Sequence, residues 1–278
     1  MTPESSLACP ACASREHRLR FARGRHVIVR CERCGLHSAL PRPNPEMLRA
    51  IYRDASYFAG DAYYLDYLGH RHNYERLARR VVARVLRHRA PPGIWFDVGA
   101  AAGFQLEVAR RAGFETRGVE PCAAMAAHAQ EEGLDVTQGE LETTPLPHQT
   151  LHVVSFLDSL EHFLDPRHAV RLAFDALDAR GVIVVQTPNV GSPAARLLAA
   201  RWPHYTPPEH LFYFTRTSLT LLLERSGFRL LELSSLGHYF SLRELSRRLL
   251  GLRLDRAPLA DHSVYLNSGD LFAIACKR

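Results

Sequence analysis

The sequence predicts an α/β protein with a seven-stranded, mostly parallel sheet, helices on both faces, and a small cysteine-rich module in front. Three observations support this prediction. Apolar strands and helical segments alternate from residue 93 onward. A glycine-rich turn, Gly99–Gly103, follows the strand predicted at Ile94–Val98, and open parallel sheets bind ligands at such strand ends. Two Cys-x-x-Cys pairs lie within the first 34 residues.

Length and composition bound the domain organisation. The 278 residues are enough for one large α/β domain and a small appendage. We assign residues 1–40 to the cysteine module, 41–90 to a linker with N-terminal helices, and 91–278 to the main domain. No stretch approaches the roughly 18 apolar residues of a membrane span, and Met1–Ser5 lacks the pattern of a signal peptide. We therefore expect a cytoplasmic protein with reduced cysteines.

The net charge of +6 raises the question of nucleic-acid binding. Lys277 is the single lysine among 35 basic residues, and such one-sided use of arginine indicates a codon preference rather than a phosphate-binding surface. The arginines are also scattered, apart from the segment 71–89. The charge therefore does not favour a nucleic-acid partner.

The two cysteine pairs have the spacing of a structural zinc site. Cys9 and Cys12 form the first pair, Cys31 and Cys34 form the second, and 18 residues separate them. Each pair is predicted to form a tight turn, and the two turns together supply four thiolates in a tetrahedron. A short strand at His26–Arg30 leads into the second pair. The module is therefore predicted to be a zinc ribbon that requires its metal to fold.

Helices are predicted between the ribbon and the main domain. A helix should begin at Pro45 with Asn44 as its N-cap. Residues 64–89 form a second helical stretch, because Leu77, Val81 and Val85 recur at four-residue spacing. Its arginines are interpreted as a solvated face, with a patch for an anionic substrate as the alternative.

The main domain is predicted element by element from its periodicity. The strands are placed at Ile94–Val98, Glu115–Val119, Leu134–Thr137, Leu151–Leu157, Gly181–Gln186, Phe228–Ser234 and Leu271–Cys276. The helices are placed at Gln105–Ala112, Pro121–Glu132, Arg167–Asp178 and Thr217–Arg225. The segment Ser241–Leu254 is interpreted as a surface helix with a capping box, and a substrate lid is the alternative.

The residues after the first two strands of the main domain indicate the cofactor. The turn Asp97–Gly103 reads Asp-x-Gly-x-x-x-Gly, which does not match the Gly-x-Gly-x-x-Gly pattern of a dinucleotide site. Glu120 ends the second strand, where a carboxylate accepts hydrogen bonds from both hydroxyls of an unphosphorylated ribose. Asp97 is placed to steer a ligand ammonium group, through water. An unphosphorylated nucleoside with a cationic amino-acid tail is S-adenosylmethionine.

The order and spacing of several short motifs resemble those of a known family. The chain resembles class I S-adenosylmethionine-dependent methyltransferases of the branch that carries an N-terminal zinc ribbon, including small-molecule and sugar methyltransferases, over nearly its whole length. The resemblance implies a Rossmann-like fold. The matching stretches are Cys31–Leu36 with the following Pro-Arg-Pro, Phe96–Gly99, Gly118–Pro121, Asp158–Pro166, Gln186–Asn189 and Pro208–Phe214.

The resemblance also implies positions for the cofactor site. Gly99 and Gly103 line the methionine part, and Glu120 binds the ribose. Ala101 stands where the family usually has a glycine, which narrows the pocket by one methyl group. Glu140 and Leu141 are expected to flank the adenine. Pro121 and Leu157 are expected as further contacts with the cofactor.

His162 is the first candidate for acceptor chemistry. Methyl transfer to a hydroxyl or a carbon acid requires removal of a proton, and histidine is suited to this near neutral pH. His162 follows Asp158 and Glu161 in a predicted loop. The alternatives are a helix start in which the acids favour the helix N-terminus, and a divalent-cation site. The cation alternative rests on a resemblance to the Glu/Asp-x-x-Glu-His cluster of ubiquinone-pathway O-methyltransferases.

His210 is the second candidate. It lies in a proline-rich loop, and Glu209–Phe214 resembles the Glu-His-Leu-x-Tyr-Phe stretch that supplies a catalytic histidine in zinc-ribbon sugar C-methyltransferases. Those enzymes place a tyrosine three residues before this histidine, where this chain has Pro207. Tyr205 is considered as a substitute for the missing phenol. A packing role for His210 is the alternative.

Three functions follow from these interpretations. The first is a methyltransferase that acts on a small molecule, such as a sugar or secondary-metabolite intermediate, at oxygen or carbon. The second is an RNA base methyltransferase whose zinc ribbon grips RNA. The third is a non-catalytic zinc-ribbon adaptor. The sequence favours the first, and it does not indicate the acceptor or the oligomeric state.

Overall fold

The computed structural model describes residues 8–53, 67–243, 245–246 and 262–278. Its strands are β1 (His17–Arg23), β2 (His26–Cys31), β3 (His37–Leu40), β4 (Ile94–Val98), β5 (Glu115–Glu120), β6 (Asp135–Gln138), β7 (Leu151–Leu157), β8 (Leu177–Thr187), β9 (Phe212–Tyr213), β10 (Phe228–Ser241) and β11 (Ser263–Lys277). Its α-helices are α1 (Pro45–Arg53), α2 (Arg71–Val85), α3 (Phe104–Arg111), α4 (Ala123–Glu131), α5 (Pro166–Ala176), α6 (Pro193–Leu198) and α7 (Arg216–Arg225).

The main sheet has seven strands in the order β10-β11-β8-β7-β4-β5-β6. The five strands from β8 to β6 are parallel, and β11 is antiparallel to both of its neighbours. The chain first builds outward from β4 through β5 to β6, and then returns to place β7 on the other side of β4. This reversal makes β4 the switch point at which open sheets bind ligands. The predicted α/β class with a mostly parallel seven-stranded sheet is confirmed.

Each face of the sheet has its own apolar core, because neighbouring side chains on a strand point to opposite faces. On β4, Phe96 and Val98 belong to the core that contains residues of α5 and α7. Trp95, next to Phe96, belongs to the other core, which contains residues of α2, α3 and α4. Helices therefore cover both faces, as predicted. Among the described residues, no helix has the length and apolar content needed to cross a membrane.

A second sheet of four antiparallel strands has the order β1-β2-β3-β9. The first three strands come from the cysteine module. The fourth, β9, comes from the main domain and pairs with β3 through His37 opposite Tyr213 and Ser38 opposite Phe212. Only β2 was predicted from the sequence. Strand β1 was missed although Leu19 and Phe21 alternate with Arg18 and Arg20, and β9 is only two residues long.

Several predicted element boundaries need correction. The helix predicted to begin at Pro121 begins at Ala123, because the Glu120 side chain holds the backbone N–H of Cys122 in the preceding turn. The helix predicted to reach Asp178 ends at Ala176, because Leu177 already pairs with Leu151 in the sheet. The other elements of the main domain lie within a few residues of their predicted places, apart from β8, β10 and β11, which are longer.

The helices before the main domain agree with the prediction where they are described. Asn44 caps α1 by accepting the N–H of Met47 at 2.8 Å. Of the predicted 64–89 stretch, residues 71–85 form α2, and residues 64–66 lie outside the described part. Its arginines are largely engaged within the molecule. Three of them stack over aromatic rings of β10 and β11: Arg76 over Tyr239, Arg80 over Tyr239 and Tyr265, and Arg84 over Phe272.

The last two strands form a hairpin longer than predicted. β10 and β11 pair from Phe228–Lys277 at one end to Ser241–Ser263 at the other, with two irregularities in register. Ser241 therefore ends a strand. The helix or lid predicted over 241–254 falls mostly on residue 244 and residues 247–254, which lie outside the described residues.

Candidate active site

A cavity of about 770 Å³ opens above the carboxyl ends of the parallel strands. Such cavities are the usual place for a ligand in an open α/β sheet. It brings together ten of the thirteen residues predicted for cofactor and catalysis. These are Asp97, Gly99, Ala101, Glu120, Pro121, Glu140, Leu141, Leu157, His162 and His210.

The turn after β4 forms one wall of this cavity. Gly99, Ala101 and Gly103 all have positive φ, at 77°, 46° and 78°. Ala101 adopts the left-handed conformation although it is not glycine, and its N–H donates to Glu120 Oε2 at 2.8 Å. This charge-assisted bond offsets part of the strain of positive φ. Gly103 does not line the cavity; its φ of 78° favours glycine, and a Cβ there would also lie 2.3 Å from Leu134 Cδ1.

Glu120 lies at the end of β5 with only 3% of its surface exposed. Its Oε2 accepts the N–H of Ala101, and its Oε1 accepts the N–H of Cys122 at 2.7 Å. Two fixed backbone donors therefore set the orientation of the carboxylate, and each oxygen keeps further lone pairs for a ligand. Burial raises the pKa of Glu120 to about 7.

Asp97 lies near the end of β4 and is also buried. The parallel register places it beside Ser155 of β7, whose hydroxyl donates to Asp97 Oδ1 and accepts from Trp95 Nε1 at 2.8 Å. Burial is the main cause that raises the pKa of Asp97 to about 7, and the nearby Glu120 carboxyl adds to it. Two buried carboxyls on neighbouring strand ends favour a cationic or hydroxyl-rich ligand.

The predicted adenine contacts lie at the rim of the same cavity. Glu140 binds Arg49 of α1 through two bonds, Nε to Oε1 at 2.7 Å and Nη2 to Oε2 at 3.1 Å. Leu141 is buried, and Leu157 is partly buried at the end of β7. The bidentate pair ties α1 to this edge of the cavity.

Another part of the same cavity, the histidine end, is lined by Glu161, His162 and His210. One ligand-capable atom from each of these three side chains lies within 4.8 Å of the others. His210 Nδ1 donates to the His204 carbonyl at 2.9 Å, and His162 Nδ1 contacts the Glu209 carbonyl at 3.1 Å. Because a carbonyl only accepts, the neutral His210 ring carries its proton on Nδ1 and its lone pair on Nε2. The tautomer of His162 depends also on the Tyr52 hydroxyl, which lies 2.7 Å from its Nδ1.

The electrostatics of this histidine end follow from burial. Burial lowers the pKa of His162 to about 4 and that of His210 well below its usual value, so both rings are neutral at neutral pH. Burial raises the pKa of Glu161 well above its usual value. Glu161 Oε2 accepts from Thr187 at 2.9 Å, and Glu161 Oε1 has no partner among the described residues. The neutral rings can offer lone pairs to a proton or a cation, while burial disfavours the charged imidazolium.

Two predicted catalytic residues lie outside the cavity lining. Tyr205 is buried beside Phe21, and its hydroxyl contacts His37 Nδ1 of the cysteine module at 2.7 Å. It therefore faces the junction between module and domain. Glu209 contributes its backbone carbonyl to His162, while its side chain does not line the cavity.

The cation cluster suggested by the sequence has a different membership in the structure. Asp158 has a φ of 51° and its carboxylate accepts from Gln186 Nε2 at 3.2 Å, and it is not among the side chains whose ligand atoms all lie within 4.8 Å of one another. His210 takes its place in the cluster. Sequence spacing alone gives no indication of this exchange, because His210 arrives from a loop 48 residues downstream.

Three further residues of the cavity were missed from the sequence. Tyr52 of α1 contacts His162 Nδ1 at 2.7 Å. Asn73 of α2 is buried, and its amide has no hydrogen-bond partner among the described residues. His238 of β10 binds Asp270 of β11 at 2.9 Å. Of these three, only Asn73 had a signal in the sequence, because it is a polar side chain in the apolar stripe of α2.

The cysteine module brings its four sulfurs together. Cys9 Sγ lies 3.5 Å from Cys34 Sγ, and Cys12 Sγ lies 3.5 Å from Cys31 Sγ. All four are buried, and all four sulfurs lie within 4.8 Å of one another. These separations exceed an S–S bond of about 2.05 Å. They approach the roughly 3.8 Å between thiolates of a tetrahedral zinc site with Zn–S of about 2.3 Å.

Comparison with known proteins agrees with the fold. A probable S-adenosylmethionine-dependent methyltransferase of Mycolicibacterium smegmatis is 29% identical over 182 residues, covering 63% of this chain and 67% of that protein. Magnesium protoporphyrin IX methyltransferase from Synechocystis, solved with bound S-adenosylhomocysteine, has a TM-score of 0.56 at 13% identity and covers 84% of this chain and 100% of that one. A methyltransferase from Archaeoglobus fulgidus has a TM-score of 0.53 at 20% identity, covering 73% and 94%.

The family comparison covers the part of the chain that builds the cavity. The model of the methyltransferase domain family matches residues 70–233, which run from the start of α2 into β10. This range is more than half of the chain. It contains Asp97 and Glu120, which form the carboxylate end of the cavity, and His162 and His210 of the histidine end. The chain therefore belongs to the methyltransferase domain family and is an S-adenosylmethionine-dependent enzyme.

Proposed function

We propose that the protein methylates a small-molecule acceptor, with S-adenosylmethionine held at the carboxylate end of the cavity and the acceptor at the histidine end. The observation that carries this proposal is that one cavity joins Asp97 and Glu120 to His162 and His210. A methyl donor and an acceptor bound at these two ends would lie next to each other. In this proposal the ribbon extends to residue 40 and the catalytic domain begins at residue 91, as predicted from the sequence.

The residues of the carboxylate end fit the cofactor. Glu120 accepts the two ribose hydroxyls, Asp97 attracts the ammonium group through water, and Gly99 and Ala101 let the ligand lie against the backbone. Pro121, Glu140, Leu141 and Leu157 line the adenine side. The unpartnered amide of Asn73 offers both a donor and an acceptor to the same ligand. When bound, S-adenosylmethionine supplies an already activated methyl group on a sulfonium.

His210 and His162 act on the acceptor in this proposal. His210 presents a neutral Nε2 lone pair, which takes the proton of a hydroxyl or an enolisable carbon, and His162 lies beside it with ring centroids 4.7 Å apart. The Glu161 carboxyl, with an oxygen within 4.8 Å of a nitrogen of each ring, stabilises the resulting imidazolium when it is ionised. We infer a small acceptor because these groups lie inside a cavity lined by protein. The acceptor atom, oxygen or carbon, stays open.

The RNA alternative is less well supported by the packing of the ribbon. A ribbon that grips RNA needs exposed aromatic rings for base stacking. Here Phe21 is only partly exposed and packs against Tyr205 of the main domain, with ring centroids 4.9 Å apart. The ribbon sheet is also completed by β9 of the main domain. We therefore infer an internal role for the ribbon.

We also propose that the four cysteines bind one structural zinc ion per chain. The expected result is about one zinc by elemental analysis of the purified protein. Cys31→Ser is expected to lose the metal and to lower Tm by about 10 °C, because several kcal/mol of metal-dependent folding energy are lost. Cys276→Ser, outside the cluster, should keep both the metal and the Tm. A metal-free wild-type protein with unchanged Tm would contradict the proposal.

Cofactor affinity is expected to rise with pH. Burial raises the pKa of Asp97 and of Glu120 to about 7 in the free protein, and the charged carboxylates are the forms that bind the ligand. Affinity should therefore be weak about 1.5 pH units below this pKa, increase through it and level off about 1.5 units above it, with protons released on binding. Calorimetry in buffers of different ionisation enthalpy measures both the affinity and the number of protons released. Binding that is independent of pH would contradict the assignment of these carboxyls.

The same two carboxyls make an opposite contribution to the stability of the ligand-free protein. For an acid whose folded pKa is raised, the folded state binds more protons than the unfolded state between the two pKa values. The contribution is therefore favourable at low pH and is lost between pH 4.5 and about 7 for Glu120. The thermal shift produced by S-adenosylmethionine should instead follow its affinity and grow as the pH rises through about 7.

A further inference from the structure

The loop that carries His210 is part of the ribbon sheet. Strand β9 follows His210 almost directly and pairs with β3 of the ribbon. In addition, the N–H of Ala39 donates to the Leu211 carbonyl at 3.0 Å. Strand β9 is two residues long, and a strand of this length has little stability of its own. Its position therefore depends on the ribbon strand beside it.

Side chains strengthen this connection on both sides of His210. Before it, the Tyr205 hydroxyl contacts His37 Nδ1 of β3 at 2.7 Å. After it, the Tyr213 hydroxyl donates to the His210 carbonyl at 2.8 Å, and Thr215 Oγ1 donates to the carbonyl of Cys34, one of the four clustered cysteines, at 3.0 Å. The links are buried or partly buried, so solvent competes with them little.

The opposite side of the loop contacts the histidine end of the cavity. The N–H of Leu211 donates to the Glu161 carbonyl at 2.9 Å. His210 itself is bonded within the loop to the His204 carbonyl. The loop thus lies between the ribbon sheet and the proposed acceptor site, and the ribbon forms its outer support.

We propose that the zinc ribbon positions His210, with His37, Tyr205 and Tyr213 as the positioning residues that connect the metal site to the acceptor site. This inference rests on the proposed function, in which His210 touches the acceptor. It gives the ribbon a role inside the molecule, in which the metal orders β3 and β3 holds the loop. Cofactor binding, which involves none of these contacts, is independent of the ribbon.

The test uses the full chain with Tyr205→Phe and Tyr213→Phe combined, which keeps both rings and removes both hydroxyls. The probe for His210 is diethyl pyrocarbonate, which modifies accessible neutral imidazoles and is read by mass spectrometry. We expect modification of His210 to accelerate about tenfold and amide hydrogen exchange to increase over residues 203–214, because two buried hydrogen bonds are lost. The Kd for S-adenosylmethionine should stay within twofold.

Tyr265→Phe is the matched control, since it removes a hydroxyl that accepts from the Gly237 N–H outside the ribbon contact. It should leave His210 modification unchanged. Removing the ribbon metal from the wild-type protein with a chelator should give the same faster modification of His210 and the same increase in hydrogen exchange as the double tyrosine variant. This experiment can be done even if the double variant does not fold. Unchanged His210 reactivity after chelation overturns the proposal. A fall of cofactor affinity that accompanies the expected fall of Tm also overturns it, because the ribbon would then stabilise the whole domain rather than position His210.

The readouts separate this inference from the proposed function. Modification and exchange need no acceptor, so they test the positioning of His210 even if no methyl transfer is found. Where an acceptor is in hand, the tyrosine variant should lower kcat while the KM for S-adenosylmethionine is unchanged. A changed KM with unchanged kcat would contradict positioning.

Discussion

Replacing Glu120 with glutamine is expected to weaken S-adenosylmethionine binding by about 100-fold. The carboxylate is 3% exposed and is oriented by the N–H groups of Ala101 and Cys122. Hydrogen bonds to a charged group contribute about 1.5–3 kcal/mol each, and the proposed site assigns two ribose hydroxyls to this one carboxylate. An amide presents one acceptor and one donor, so it also meets one of the two backbone N–H groups with its own N–H. Calorimetry or equilibrium dialysis measures the loss.

Glu115→Gln provides the matched control for this experiment. Glu115 begins the same strand, β5, is exposed, and pairs with Arg117 on the surface. Its replacement should leave cofactor affinity within twofold, because exposed ion pairs contribute little. The pH dependence of binding should also become weaker in Glu120→Gln than in the control. An affinity loss below about threefold in Glu120→Gln would refute the ribose assignment.

The sheet and its carboxylate end could be predicted from the sequence because their signals are local. Ile94–Val98 and Glu115–Glu120 are short strands bounded by glycine turns, and the parallel arrangement forces their carboxyl ends to the same edge. Asp97 and Glu120 are then neighbours for a topological reason. No knowledge of side-chain packing was needed to expect them in one cavity.

The histidine end of the cavity depends on contacts that are not local. Asp158, Glu161 and His162 are close in sequence, but the turn at Asp158 directs its carboxylate to Gln186 instead. His210 joins Glu161 because β9 pairs with the ribbon, and a two-residue strand has no periodicity to read. Spacing along the chain therefore predicted the candidate histidines but not their partners.

The same reason explains the residues that were missed. Tyr52 and Asn73 belong to helices whose apolar stripes predict only that one face is buried. Which part of that face meets the cavity is decided by how the helix crosses the sheet. For α1, the ion pair between Arg49 and Glu140 is one such contact with the cavity edge, and it joins residues 91 positions apart.

Two constraints meet at His210. From the ribbon, β9 and the tyrosine contacts set where the backbone lies. From the loop, the His204 carbonyl sets which nitrogen carries the proton. The result is a neutral ring in a buried position, close to Glu161 and His162. A ring fixed in this way loses little entropy when it meets an acceptor.

His210→Ala is therefore expected to reduce methyl transfer by about 100-fold or more, in line with the usual contribution of a general base. The acceptor is found first by screening hydroxylated and enolisable small molecules with the wild-type protein. Affinity for S-adenosylmethionine should stay within twofold, because the proposed donor site is formed by Asp97 and Glu120 rather than by His210. His162→Ala is expected to have a smaller effect if it assists His210.

His148→Ala is the control, because this histidine is in a loop outside the cavity. It should keep full activity. Undiminished methyl transfer by His210→Ala would remove the base assignment.

A divalent cation held by Glu161, His162 and His210 gives a different pattern. The wild-type enzyme then loses activity on removal of divalent cations and regains it with Mg²⁺ or Mn²⁺, while the zinc content of the ribbon stays constant. If the histidines act as a base and bind no cation, activity should not depend on divalent cations. One titration with cations therefore distinguishes the base role from the cation-binding role.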